Sequence, residues 1–177
     1  MTQPESRFRT QTRSQASAGW PADWSARVAG EVCSLCDAGR PDDDGFGIRV
    51  FAGRYTDAYL QRAKVQEGYT KVIWRGRHVV EPTDLTDEES VGYWREMLLV
   101  AKALQRCYQP LKMNYETLGN VVPHLHTHLV PRYEDDAAAG QPFPVPTDVD
   151  GLPSIPEDEL RHAALALRSM IEQLRPS

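Results

Sequence analysis

The chain has 177 residues, of which 41% are hydrophobic and 25% are charged, and its formal net charge is −5 at pH 7. This length suits one domain that buries its own core, and the composition is that of an ordinary globular protein. The negative charge argues against a nucleic-acid groove or an anionic membrane surface as the partner. No apolar run approaches the roughly 20 residues that a membrane span requires. We therefore expect a protein that binds neither nucleic acid nor a membrane.

The amino-terminal segment is polar and carries several arginines, so we predict a disordered tail over residues 1–19 and a single domain over residues 20–177. Three cysteines follow the tail, at Cys33, Cys36 and Cys107. An odd number of cysteines without the apolar stretch of a secretion signal indicates a reducing compartment. We therefore expect a cytoplasmic protein without disulfides.

Five short segments with β-prone residues predict the strands of one sheet. Three of them precede a long helix, at residues 48–51, 58–60 and 69–74, and residues 111–115 predict a fourth strand after it. A brief turn then leads into the fifth, and such short connections favour antiparallel pairing. The sequence thus predicts an α+β fold, with a meander-like antiparallel sheet of about five strands and helices packed on one side.

Two helices are predicted from their end signals. The first begins after Thr86, which forms a capping box with Glu89, and ends before Pro110. Residues 141–156 then contain five prolines and predict an extended excursion. The second helix follows over residues 157–174 and carries an apolar stripe, which we interpret as packing.

Three histidines at every second position, His124, His126 and His128, are the most informative feature of the chain. Side chains alternate along a strand, so the imidazoles would share one face and lie roughly 6.5–7 Å apart. Imidazole titrates near neutral pH and is a nucleophile when neutral. In one reading, His126 attacks an electrophilic phosphorus while a neighbour handles the leaving group. In another, His124 and His126 bind a metal ion. The third reading is a polar strand face of hydrogen-bonded histidines.

The stretch 118–133 around these histidines resembles the signature of the histidine triad (HIT) nucleotide hydrolases and transferases. Residues 68–78 resemble the glycine-led strand and basic turn of that family, and the long helix follows in the same order. Cys33 and Cys36 resemble the amino-terminal cysteine pair of the bacterial, zinc-containing members. The similarity covers residues 33–135 and implies a HIT-like fold with one long helix and a carboxy-terminal helix on the sheet.

The resemblance also implies a role for each residue. His126 would attack the α-phosphorus of a nucleoside phosphoryl compound, and hydrolysis of the nucleotidyl-histidine would release a nucleoside monophosphate. His128 would contact the leaving group, and His124 would orient the motif. Asn114 and Asn120 fall where the family places amides near the phosphates. The implied substrates are dinucleoside polyphosphates and nucleoside phosphoramidates, and the implied assembly is a homodimer without an organic cofactor.

The zinc-containing members further imply a structural zinc ion in a closed site of two cysteines and two histidines. The ligands in this chain would be Cys33, Cys36, His78 and His124. The spacing of the two cysteines by itself also suits a redox pair.

The chain departs from the family pattern at two positions. Many members have histidine where this chain has Tyr69, and an aspartate that binds the ribose hydroxyls usually stands at the position of Gln61. A neutral amide is a weaker acceptor for two hydroxyls than a carboxylate. A protein that binds a nucleotide without turnover is therefore the alternative to a hydrolase. A phosphorylase or transferase and a His-ligated metal-dependent enzyme are further alternatives.

Overall fold

The structure is a computed structural model that describes residues 19–136, 138–146, 149 and 151–175. Apart from Gly19, the tail predicted for residues 1–19 lies outside the described residues. The described chain opens with two short helices, α1 (Trp24–Val28) and α2 (Ser34–Asp37). Neither helix is evident from the sequence, because segments of one turn are too short to show a helical period.

A five-stranded antiparallel sheet forms the centre of the fold. Its strands are β1 (Gly47–Ala52), β2 (Thr56–Gln61), β3 (Thr70–Trp74), β4 (Lys112–Thr117) and β5 (His126–Arg132). Every predicted strand coincides with an observed one, and the bounds of the first four differ by at most two residues. The fifth begins only at His126, so the prediction that His124 shares a strand face with His126 and His128 is wrong. The predicted α+β fold with an antiparallel sheet of about five strands is therefore confirmed.

The strand order is β1-β2-β3-β5-β4, which differs from a simple meander at its end. The chain leaves β3, passes a 3₁₀ turn (Pro82–Asp84) and the 22-residue helix α3 (Asp87–Tyr108), and reaches the far edge of the sheet at β4. Because a helix of this length spans roughly 33 Å, it can carry the chain past the neighbouring position. The hairpin partner β5 then fills the place between β3 and β4 and becomes an inner strand.

The two long helices, α3 and α4 (Glu157–Leu174), pack on the same face of the sheet. The capping box predicted for α3 is present, since the Thr86 side chain accepts from the Glu89 N–H and the Glu89 carboxylate accepts from the Thr86 N–H. Neither helix, nor any other described one, is long and apolar enough to cross a membrane. The core lies between helices and sheet and includes Ala58, Leu60, Val72, Met97, Leu104, Leu129, Leu160 and Leu167.

The described residues of the proline-rich segment form neither a helix nor a strand, apart from one isolated bridge between Ser154 and Ala63. The Ile155 N–H donates to the Arg62 carbonyl at 2.9 Å. These contacts hold the segment against the connection between β2 and β3, next to Gln61. The proline-rich segment therefore borders the sheet at one of the predicted substrate-binding positions.

Candidate active site

Strand β5 presents His126 and His128 on the face of the sheet that the long helices leave uncovered. Between them, Thr127 points to the helices, where its hydroxyl lies 2.7 Å from the hydroxyl of Tyr93 on α3. Because side chains alternate along a strand, the two histidines point the other way, as the sequence predicts. Their ring centroids are 4.9 Å apart. His124 precedes the strand and is buried beside it.

The hydrogen bond of His126 determines which ring nitrogen is free. Its Nδ1 lies 2.6 Å from the backbone carbonyl oxygen of His124. A carbonyl only accepts, so Nδ1 carries the proton and Nε2 keeps its lone pair. Burial lowers the pKa of His126, the bond to the carbonyl opposes this shift, and the Lys71 ammonium adds to it. His126 is therefore a neutral imidazole with a free Nε2, the form that acts as a nucleophile.

His128 lies in a buried setting with charged neighbours on both adjacent strands. Its Nδ1 is 2.5 Å from the Tyr69 hydroxyl, and the two rings stack with centroids 5.9 Å apart. Lys71 on β3 and Glu116 on β4 are its direct register partners. Burial lowers the pKa of His128 to about 3, and His126 and Lys71 contribute to that shift. The ring is consequently neutral at physiological pH.

The lowered pKa of His128 predicts a loss of stability in acid. The unfolded chain protonates this histidine near pH 6.5, whereas the folded protein holds it neutral down to about pH 3. The contribution of neutral His128 to the free energy of unfolding is therefore complete above pH 6.5. It decreases as the pH falls, because the unfolded state then binds more protons than the folded state. Between pH 7 and pH 4, we expect the free energy of unfolding in urea to fall by on the order of 3 kcal/mol more in the wild type than in His128→Gln. Equal losses in the two proteins would contradict this assignment.

A second cluster brings together Cys33, Cys36, His78 and His124, whose ligand atoms all lie within 4.8 Å of one another. Nδ1 of His124 is 3.4 Å from the sulfur of each cysteine, and Nδ1 of His78 is 3.5 Å from the sulfur of Cys36. Tetrahedral zinc, with bonds of about 2.3 Å to sulfur and about 2.0 Å to nitrogen, holds such ligands roughly 3.5 Å apart. The cluster therefore fits a zinc ion.

The tautomer of His124 also fits a metal site. Nε2 of His124 donates to the Trp74 carbonyl at 3.0 Å, so its Nδ1 is unprotonated and faces the two sulfurs. Burial, followed by Cys33, raises the pKa of Cys36 to about 11, whereas a redox-active thiol has a lowered pKa. Within the described part of the chain this is the one such cluster, and His126 is not in it. The structure thus favours neither the redox pair nor the metal site built from His124 and His126.

The predicted amides occupy different surroundings. Asn114 on β4 is the register partner of Val130, so it shares the face of His128, and its amide donates to Glu116 at 3.2 Å. Both residues line a cleft of about 1040 Å³ along β4. Asn120 is exposed in the loop between β4 and β5 and does not line that cleft. Of the two, the structure brings Asn114 to the face that carries the histidines.

Gln61 lies at the end of β2, beside a cleft of about 230 Å³. Its amide donates to the Tyr59 carbonyl at 3.1 Å. The register partner Gly47 leaves room for it, because a Cβ at Gly47 would come within 3.0 Å of the Gln61 amide nitrogen. Other residues that line the cleft are Phe46, Arg62, Leu152 and Ser154. The proline-rich segment therefore forms one wall of the cleft at the predicted ribose position.

In the sequence, Tyr69 stands out only as a departure from the family pattern, and no local motif points to Lys71 or Glu116. All three side chains surround His128. Burial raises the pKa of Tyr69 above its usual value, with Glu116 contributing, and burial lowers the pKa of Lys71. The period of two along β3 and β4 could have indicated the correct face. The residues opposite His128 could be identified only once the strand register was known.

The family model of the HIT domain matches residues 50–135. An uncharacterised 16.1 kDa HIT-like protein of Mycoplasma pneumoniae is 31% identical over 116 residues, which are 60% of this chain and 76% of that protein. A bis(5′-adenosyl)-triphosphatase of Saccharomyces cerevisiae is 28% identical over 89 residues. The match spans only 43% of the yeast enzyme's length and 61% of that of the Bacillus subtilis protein hit.

Solved structures show the same fold. A histidine triad protein from Bradyrhizobium japonicum superposes with a TM-score of 0.65 at 23% identity and covers 79% of this chain and 96% of its own. A zinc-bound histidine triad family protein from Mycobacterium smegmatis superposes with a TM-score of 0.57 at 22% identity, over 81% of this chain and 96% of its own.

Proposed function

Because this chain belongs to the histidine triad family, we propose that it hydrolyses a phosphoanhydride or phosphoramidate bond of a nucleoside phosphoryl compound and releases a nucleoside monophosphate. The observation that carries the proposal is the state of His126, whose Nδ1–H donates to the His124 carbonyl and whose Nε2 is free. The name of the yeast relative, a bis(5′-adenosyl)-triphosphatase, supports a substrate with a phosphoanhydride bond.

In the first proposed step, Nε2 of His126 forms a bond to the α-phosphorus, and the bond from phosphorus to the leaving group breaks with its electron pair on the leaving group. The ring gains a positive charge, which the Nδ1–H shares with the His124 carbonyl. His128, with its ring centroid 4.9 Å from that of His126, contacts the leaving group. Water then forms a bond to phosphorus, the bond to Nε2 breaks, and the water releases one proton to solvent.

We also propose a structural zinc ion, held by Cys33, Cys36, His78 and His124. The fit of the donor atoms supports it, as does the zinc-bound relative from Mycobacterium smegmatis. Four protein ligands close the coordination sphere, so the ion would take no substrate. It would instead fasten the segment around α2 to the start of β5 and leave His126 and His128 free for chemistry. No organic cofactor is part of the proposal.

A homodimer is the proposed assembly, and the cytoplasm is the proposed location. Strand β4 lies at an edge of the sheet, and Leu111 and Tyr115 are exposed there. Val91 and Trp94 expose further apolar surface on α3. Exposed apolar groups beside an edge strand are features of an interface between copies. The cytoplasm is proposed because the thiol ligands need a reducing compartment.

Release of nucleoside monophosphate by the wild-type protein tests the proposed activity. The assay presents a panel of dinucleoside polyphosphates and nucleoside phosphoramidates and separates the products by chromatography. We expect release from at least one of the two classes, with kcat in the ordinary enzymatic range of about 1 s⁻¹ or more. Nucleotide binding by calorimetry without any release would contradict the proposal and support the binding-only alternative that Gln61 raises.

A further inference from the structure

We propose that Tyr69 is a positioning residue, whose hydroxyl holds His128 as a neutral imidazole with the proton on Nε2, and that this form selects leaving groups that depart as anions. The inference rests on the proposed hydrolysis at His126. It narrows the proposed substrates from two classes to one, since it favours phosphoanhydrides over phosphoramidates.

The contact between Tyr69 and His128 leaves one arrangement of protons that satisfies both groups. Tyr69 is only 2% exposed and His128 only 6%. Among the described residues, Nδ1 of His128 is the one hydrogen-bond partner of the Tyr69 hydroxyl, at 2.5 Å. If Nδ1 carried a proton, the hydroxyl hydrogen would be buried without an acceptor, which is as costly as a lost hydrogen bond. The hydroxyl therefore donates to Nδ1, and the ring proton is on Nε2.

The charged groups that face His128 also affect whether its ring is neutral. Lys71, its register partner on β3, carries a positive charge that disfavours a second one on the His128 ring. Glu116 faces it from β4 and would favour such a charge, but Lys71 and not Glu116 contributes to the lowered pKa of His128. The Tyr69 hydroxyl adds a bond that only the unprotonated Nδ1 can accept. The pairing of β3 with β5 thus places Lys71 and Tyr69 beside His128, and both favour its neutral form.

A neutral imidazole donates a hydrogen bond from Nε2–H but does not release that proton near neutral pH. In a phosphoanhydride, the bond from the α-phosphorus to the bridging oxygen breaks, and the electron pair leaves on a phosphate oxygen that is stable as an anion. A donated hydrogen bond stabilises that charge. In a phosphoramidate, the phosphorus–nitrogen bond breaks, and the amine nitrogen must gain a proton. A neutral His128 therefore favours cleavage of the phosphoanhydride over cleavage of the phosphoramidate.

The test compares kcat/KM for diadenosine triphosphate and for adenosine 5′-phosphoramidate. The variant is Tyr69→Phe, and the matched control is Tyr93→Phe, which also removes a buried hydroxyl bonded to β5, but on the opposite face. We expect the wild type to prefer the triphosphate. Tyr69→Phe should lower kcat/KM for the triphosphate roughly tenfold and narrow the preference by a similar factor. Tyr93→Phe should leave the preference unchanged.

A second measurement does not depend on any variant. The ¹⁵N chemical shifts of the His128 ring in the wild type report its tautomer directly, and we expect the Nε2–H form at pH 7. An Nδ1–H form or an imidazolium would overturn the inference. Equal rates on the two substrates, or an unchanged preference in Tyr69→Phe, would overturn it and leave the proposed hydrolase in place. A wild type that cleaves neither substrate would overturn both.

Discussion

Replacing His126 by alanine is expected to lower the rate of nucleoside monophosphate release by roughly 10⁴–10⁶-fold, the range found when a covalent nucleophile is removed. The expectation follows from the free Nε2, which the hydrogen bond from Nδ1 to the His124 carbonyl keeps unprotonated. No other imidazole nitrogen of the triad is equally available. Nδ1 and Nε2 of His124 face the cysteines and the Trp74 carbonyl, and Nδ1 of His128 faces Tyr69. Steady-state rates on the best substrate of the panel give the measurement.

The matched control for this variant is His162→Ala. His162 is exposed on α4, away from the triad, so its loss should leave the rate unchanged. The circular dichroism spectrum and the unfolding midpoint of both variants establish that the fold is intact. A folded His126→Ala protein with a rate within tenfold of the wild type would contradict the assignment of the nucleophile.

Removal of zinc is expected to have the largest effect on stability. A ligand that binds only the folded state contributes about 4 kcal/mol when its free concentration is a thousand times its Kd. For a chain of this length, that corresponds to a decrease in Tm of roughly 8–16 °C. We expect this decrease after chelation and in Cys36→Ser, measured by calorimetry. The reason is that the ion would join the segment around α2 to the start of β5 through Cys33, Cys36, His78 and His124.

Cys107→Ser is the control for the zinc prediction, because Cys107 is a free cysteine on α3 outside the cluster. This variant should bind about one equivalent of zinc, as the wild type does, and its Tm should match that of the wild type both before and after chelation. Metal analysis of protein expressed with sufficient zinc decides the point. Less than about a tenth of an equivalent in the wild type would contradict the site.

Local patterns predicted a large part of this fold. The capping box of Thr86 and Glu89 located the start of α3 to the residue, since a cap depends on neighbouring positions alone. The alternation of His126 and His128 gave the correct face of β5, because a strand has a strict period of two. The position of β5 between β3 and β4 did not follow from local pattern. It depends on where a long helix returns the chain.

The site shows the same division. The residue types and spacings of the triad and of Cys33 and Cys36 were readable from the chain. The tautomer of His126 was not, because a backbone carbonyl fixes it. The contact of Tyr69 with His128 also could not be predicted from the sequence, because it depends on the pairing of β3 with β5. On α3, Val91, Trp94 and Leu98 recur at helical spacing but are exposed, and the buried face is carried by neighbouring positions such as Met97 and Val100.

The most direct test of the central claim is the mass of the protein during turnover. The protein is mixed with its best substrate, quenched within milliseconds in alkaline denaturant, and measured by mass spectrometry before and after digestion. We predict a mass increase of one nucleotidyl group, located on His126 and absent from His126→Ala. Turnover without any adduct, or an adduct on His124 or His128 instead, would contradict the assignment of His126 as the nucleophile.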